Sequence, residues 1–311
     1  MINALTIDVE DYFHVTAFEH QIKPYQWDSY PLRVDGNTRR ILELLDEYAL
    51  KGTFFILGWI AERLPALVKE IQRRGHEIAC HGYAHQLVYR LSPQEFRQDI
   101  SKAKAIIEDI SGERVHGYRA PSYSITKKSL WAFDILVEEG FSYDSSIFPI
   151  LHDIYGIPGG KRFPHKISTH NGTIQEFPIS TYQLNVAGWL SRLPIAGGGY
   201  LRLFPAAWVT KAIQSINTNE KQPALVYFHP WEIDPQQPRV QTTLKSRFRH
   251  YLNLNRMEQK VRHLMQNLTF SSVKVCLQAA EFAIDDKPNM VNIFNTPHHV
   301  PAIQLLQHTQ P

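Results

Sequence analysis

Apolar runs and polar breaks alternate with a steady beat along the first two thirds of the chain. Ile2 to Ile7 reads as a strand that ends in a burst of acid, Asp8, Glu10 and Asp11. Asn37 to Leu50 carries Ile41, Leu44, Leu45 and Tyr48 on one stripe at helical spacing, and Lys51-Gly52 stops it. Thr53 to Leu57 is apolar throughout, as a parallel strand covered on both faces should be. Trp59 to Arg74 predicts a helix with Gly75 just past its end, followed by a short buried strand to Cys80. Ser92-Pro93 caps a helix reaching Ile110. Val115 to Arg119 is the next strand, Thr126 opens a helix to Glu139-Gly140, and Phe141 to Asp144 is strand again. Strand and helix recur about every 25–35 residues, the pattern of an α/β fold with parallel strands and right-handed crossovers.

Residues 147–203 break the beat with Gly159-Gly160, several prolines, a strand-like Thr173 to Phe177 and Gly197-Gly198-Gly199-Tyr200. They read as an insertion decorating the fold. Phe204 to Ile216 is helical, Ala224 to Phe228 is a last buried strand, and His229-Pro230-Trp231-Glu232 follows. The pattern divides the chain into a domain at 1–238, a basic helical extension at 239–284, and a disordered tail at 285–311. Arg256 to Leu268 is the extension's helix, and its charge cluster reads as a solvated face. The aromatic stretch 12–33 either faces a substrate or packs its own rings.

Composition narrows the classes. Apolar residues at 43% and charged residues at 20% suit a soluble globular protein. A net charge of +3 is too mild to argue for nucleic acid. Cys80 and Cys276 are far apart and suggest no disulfide framework, so a reducing compartment is expected. No apolar run approaches the ~20 residues of a membrane span, and the N-terminus enters a strand with no leader pattern. The expectation is a cytoplasmic protein, with contact at the inner face of the membrane left open.

Polar side chains gather where strands end: Asp8, His81, Arg119, Asp144 and His229. In parallel α/β folds these ends share one face. His81 and His85, four residues apart after a strand, suit a metal with an open position. One N-terminal carboxylate completes the ligands, a second takes a proton from metal-bound water, and His229 protonates the leaving group. A backbone N–H near Arg119-Ala120-Pro121-Ser122 would complete an oxyanion site. This is metal-assisted hydrolysis of an amide or ester.

Those motifs, in that order, resemble the polysaccharide deacetylases with a NodB-homology domain, carbohydrate esterase family 4, over roughly residues 1–235. The resemblance implies a distorted (β/α) barrel with a C-terminal extension. It implies Asp8 as base, His81 and His85 as metal ligands, and Arg119 orienting the base. Ser122 would give a backbone N–H to the oxyanion, Asp144 would orient the acid, and His229 would be the acid. The family's adjacent aspartates are replaced here by Asp8-Val9-Glu10-Asp11, so the metal carboxylate is Glu10 or Asp11, with Glu10 favoured by spacing. The metal is expected to be zinc, with cobalt, nickel, manganese or iron open.

A narrower resemblance rests on Asp-Val-Glu-Asp-Tyr-Phe at 8–13, Gly-Gly-Gly-Tyr-Leu-Arg at 197–202, Phe-His-Pro-Trp-Glu at 228–232 and Arg-His-Tyr-Leu-Asn at 249–253. These stretches are similar to the exosortase-associated (PEP-CTERM system) deacetylases. That implies removal of N-acetyl groups from N-acetylhexosamine units of an exopolysaccharide or its precursor, beside the synthesis machinery. The alternatives are hydrolysis of another amide (peptidoglycan, chitin oligomer, small cyclic amide) or non-catalytic sugar binding on the same fold. A zinc-stabilised structural module is disfavoured, because such sites are usually closed by four ligands and rich in cysteine.

Overall fold

The computed structural model describes residues 1–186 and 189–281, so the expected tail from 285 lies outside the described residues. The first half follows the alternation of the sequence: β1 (Asn3–Val9), α1 (Val34–Glu47), β2 (Thr53–Ile56), α2 (Gly58–Arg63), α3 (Pro65–Arg73), β3 (Glu77–Cys80), α4 (Pro93–Ser111), β4 (Gly117–Tyr118), α5 (Ala132–Glu138) and β5 (Tyr143–Asp144). Then come β6 (His165–Thr169), β7 (Gly172–Glu176), β8 (Thr181–Val186), β9 (Trp189–Pro194), α6 (Gly198–Leu203), α7 (Ala206–Ser215) and β10 (Leu225–Phe228). The chain closes with α8 (Leu244–Tyr251), α9 (Leu254–Asn267), β11 (Phe270–Ser271) and α10 (Val273–Glu281).

The main sheet runs β10-β1-β2-β3-β4-β5-β7-β6, parallel except for the β6–β7 pair. β1 sits between β10 and β2, and every one of its residues is buried. Parallel strands put all their carboxyl ends on one side. That side carries Asp8, His81, Arg119, Asp144 and His229. Among the described residues, no helix is long and apolar enough to cross a membrane.

Three boundaries differ from the sequence reading. The single helix expected at 59–74 is two, because Leu64 leaves helical geometry (φ −126°, ψ 55°) ahead of Pro65. The stretch 147–203 is not merely a decoration: β7 pairs with β5 in parallel, so part of it extends the main sheet. Nor do residues 239–281 stand apart from the main sheet and core. β11 pairs with β1 at Asn3 and Ala4, and Leu254, Met257, Val261 and Leu264 of α9 join the same hydrophobic core as the strands. Arg239, Lys245, Arg247, Arg249 and Arg256 stay exposed, as a solvated face should, while others are committed. Arg262 pairs with Glu47 and Glu258, Lys260 Nζ donates to the carbonyls of Leu201, Arg202 and Phe204, and His250 is buried. The apolar stripe of α9 had to be covered, and its cations find partners along the seam.

Candidate active site

β1 carries Asp8 and Glu10 into the interior, where both are buried. Asp8 Oδ1 accepts from Arg119 Nη1 at 2.5 Å, and Tyr123 Oη reaches Asp8 Oδ2 at 3.4 Å. The guanidinium is fixed on its other edges: it donates to Thr6 Oγ1, to the Ser145 carbonyl and to Ser145 Oγ at 2.8, 3.1 and 2.9 Å. It also lies 4.0 Å from the ring of Phe55. Burial opposes the charge on Arg119, but Asp8 and its neighbours outweigh it and raise the pKa.

Glu10 Oε1 lies 2.9 Å from His81 Nε2 and 3.0 Å from His85 Nε2. These three residues are the group of ligand atoms close enough to hold one metal ion among the described residues. The other ring nitrogen of His81 tests the fit. Its Nδ1 lies 2.8 Å from the carbonyl of Arg119, which can only accept, so Nδ1 carries the proton. In the metal-free protein a proton on Nε2 can bridge to the Glu10 carboxylate; with that proton displaced, Nε2 turns a lone pair toward Glu10 Oε1, and the two acceptors suit a cation between them. A divalent ion fits, and the Nδ1–carbonyl bond is the usual outer partner of a ligating imidazole. Burial alone would raise the pKa of Glu10. The charges of His85 and His229 and the bonds from His81 and His85 hold it well below the ordinary range.

The histidine turn is built to present both rings. His85 sits in the left-handed region (φ 51°), a strained conformation for a side-chain-bearing residue. The Asp99 carboxylate accepts the N–H groups of Tyr83 and Ala84 at 2.8 and 3.3 Å, pinning the turn. The N-terminus of α2 holds it from the other side, with Gly58 and Trp59 donating to the carbonyls of Gly82 and Tyr83.

His229 follows β10. Its Nε2 is 3.9 Å from Asp8 Oδ2, and its Nδ1 is 3.0 Å from Glu232 Oε2. Burial pushes His229 down, but Glu10, Glu232 and Asp8 pull it up to about 9, so in the metal-free protein the ring is cationic at neutral pH. Glu232 is itself buried; the Arg202 charge and the bond to His229 outweigh burial and keep its pKa low.

Two expected placements are corrected. Asp144 does not orient His229; Glu232 does. The Asp144 carboxylate accepts from Ser146 N–H and Oγ–H, and Ser146 Oγ in turn accepts the N–H of Ala120. It therefore buttresses the Arg119 turn. Burial raises the pKa of both Asp144 and Glu176, and the Asp144 charge raises that of Glu176 further. The reason is topological, since β5 lies five places from β10 in the sheet path. Asp11, the other candidate ligand, turns away from the metal group. Its carboxylate accepts the N–H groups of Tyr12, Arg33 and Val34, and burial raises its pKa to about 6 against those bonds. Ser122 lies on the turn after Arg119 in the left-handed region (φ 50°), its hydroxyl 2.8 Å from Thr16 Oγ1. Glu232 stands three residues after His229 in the motif 228–232, so its signal was present without a role attached.

A cleft of about 420 Å³ opens beside His85, lined by Phe13, His14, Trp27 and Leu87 among others. His14 is neutral there: burial drives its pKa down to about 3, and its Nδ1 accepts the N–H of Asp11 at 2.9 Å.

Parts of the chain are similar to known proteins. The polysaccharide deacetylase profile matches residues 25–135, and a domain of unknown function (DUF3473) matches residues 145–278. The peptidoglycan deacetylase-like protein FGM2 of Gibberella zeae is 36% identical over 110 residues, 35% of this chain and 32% of its own. A peptidoglycan-N-acetylglucosamine deacetylase of Bacillus cereus is 30% identical over 150 residues, 44% of this chain and 53% of its own. The chain thus spans about half or less of these curated relatives. A solved Mycobacterium smegmatis chain with a provisional polysaccharide deacetylase description superposes with TM-score 0.58 at 20% identity, covering 91% of this chain and 90% of that one. A similarly described Pseudomonas aeruginosa chain gives 0.55 at 13% identity, covering 89% of each. Both share the α/β fold. With its ordered strand-end motifs and its match to the family's profile, the chain carries a polysaccharide deacetylase domain of the NodB-homology type, carbohydrate esterase family 4.

Proposed function

We propose that the protein hydrolyses the N-acetyl group of N-acetylhexosamine units in an exopolysaccharide or its precursor. The observation that carries this reading is the placement of a held base and a held acid beside one ligand group. Asp8, fixed by Arg119, and His229, fixed by Glu232, lie 3.9 Å apart next to Glu10, His81 and His85.

Glu10, His81 and His85 would hold a divalent cation, zinc first by its preference for such ligands. When bound, the cation polarises the amide carbonyl and acidifies water. Asp8 takes a proton from the water that attacks the carbonyl carbon. The backbone N–H of Ser122 donates to the oxyanion that forms. His229 gives its proton to the amide nitrogen as the carbon–nitrogen bond breaks, leaving acetate and a free amine. Arg119 keeps Asp8 aimed.

The relatives' names make peptidoglycan the second substrate to consider. A cytoplasmic place beside polymer-synthesis machinery at the inner face of a membrane belongs to the first reading. Acetate release from a panel of N-acetylglucosamine oligomers, lipid-linked N-acetylhexosamine and peptidoglycan tests both. The proposal expects turnover on the first two and little on the third. The reverse order would overturn it in favour of the second reading.

A further inference from the structure

Three stretches singled out by the sequence meet behind His229: Gly197 to Arg202, Phe228 to Glu232, and Arg249 to Asn253. Resting on the deacetylase reading, we propose that Arg202 and residues 249–253 are positioning residues for the acid histidine. The segment matched as a domain of unknown function then serves to complete the acid half of the site.

The links can be followed atom by atom. Glu232 Oε2 holds His229 Nδ1, and Glu232 Oε1 accepts from Arg202 Nε at 2.6 Å. Arg202 is buried and spends its remaining donors on one turn of backbone. Nη1 reaches the carbonyls of His250 and Leu252 at 2.7 and 3.0 Å, and Nη2 reaches that of Arg249 at 2.8 Å. Asn253, in the left-handed region (φ 54°), returns a bond from Nδ2 to the Arg202 carbonyl at 3.0 Å. The guanidinium is thus clamped between the acid's carboxylate and the end of α8. A planar fork suits this, and a lysine would not.

A second connection runs through rings. His229 stacks on Trp231 (5.1 Å, 21°), and Trp231 stacks on His250 (4.2 Å, 13°). His250 is fixed by Gln237, whose amide N–H₂ donates to the carbonyls of Trp231 and Asp234. Its oxygen therefore faces His250 Nε2, 2.7 Å away, and accepts its proton. So both the edge and the face of the acid imidazole lead to residues 249–253.

The glycines explain how Arg202 gets there. Gly197 bridges to Tyr227 of β10, and a Cβ at Gly197 would collide with the Tyr227 carbonyl. Gly198 adopts φ +52° against the Tyr227 hydroxyl. Only a chain without side chains there lets α6 start flush against the strand that delivers His229.

The test uses the full-length, zinc-loaded protein. Glu232→Gln and Arg202→Met should lower kcat about 10²-fold, the lower end of what a positioned acid contributes, with KM unchanged. In a His229→Ala background neither should lower it further, because both act through that ring. Glu232→Asp should recover part of the loss. If Arg202→Met does not fold, Arg202→Lys keeps the charge without the fork and should show an intermediate kcat. An activity-independent readout is the His229 Nδ1–H proton resonance: protected in the wild type, exchanging with water in Glu232→Gln and Arg202→Met. The proposal is overturned if the variants keep kcat and the protected resonance, or cut activity equally with and without His229. If the wild type releases no acetate from any acceptor, the deacetylase reading fails, while the resonance still decides whether this network positions His229.

Discussion

The two halves of the site are built by different means. The half that holds the base and the metal ligands comes from the ends of β1, β3 and β4. Asp8, Glu10, His81, His85 and Arg119 sit at or just past these strands, aimed by the buried Arg119–Asp8 pair, by the bond of His81 to the Arg119 carbonyl and by Asp99 on the histidine turn. The acid half has one residue at a strand end, His229. Everything that holds it arrives from elsewhere: Glu232 from the following turn, Arg202 from α6, and His250 from α8. A strand-end half is rigid because the sheet is rigid. An acid half held by a buried charge chain depends on every link, since removing one partner strands the other in low dielectric.

The largest predicted effect falls on the base. Asp8→Asn should lower kcat about 10³–10⁴-fold, toward the upper range for lost acid–base catalysis. The amide still accepts from Arg119 but leaves its buried charge uncompensated, so stability falls as well, and a thermal melt beside the kinetics separates the two effects. Next comes the metal half alone. Asp99→Ala removes the carboxylate that pins the histidine turn and should weaken zinc binding about 10–100-fold. Titration with a competing chelator reads it, and the protected proton of His229 should be unmoved. If that proton changed, the halves would not be separable as described.

Third is the charge of the acid. In the metal-free protein His229 should titrate near 9, against an ordinary 6.5. Its folded-state pKa is raised, so its contribution to stability is fully present below about 6.5 and lost as pH rises through about 9. Zinc should bring the value down, because the cation cancels the pull of Glu10. Imidazole NMR across that range, with and without zinc, measures both. The smallest predicted change is at Asp144. Asp144→Asn should leave the titration of His229 where it was, whereas Glu232→Gln should lower it. The opposite pattern would restore Asp144 as the partner of His229.

What was legible in the sequence follows the same division. Strands, helices and the α/β pattern could be read from periodicity, because buried parallel strands are apolar throughout and their crossovers carry one apolar stripe. Asp8, the histidine pair, Arg119 and His229 were readable because each closes a strand. Spacing favoured Glu10 over Asp11 without deciding between them. The chain turns after Val9, and Asp11 spends its carboxylate on backbone N–H groups that arrive from residues 33 and 34. Asp144 looked right for the acid's partner because it too ends a strand, but strand order within the sheet is a tertiary fact. The basic stretch 239–263 looked like a solvated face. Most of its arginines and Lys245 do form one, but Lys260 is held by carbonyls of α6 and Arg262 by Glu47, contacts that no local pattern shows.

The most direct test of the account is acetate release from N-acetylglucosamine oligomers by purified protein, metal-stripped and then zinc-restored, with Asp8→Asn and His229→Ala alongside. The account predicts release that appears only with zinc and is lost in both variants. Release that persists after stripping, or that survives loss of Asp8 and His229, would contradict it.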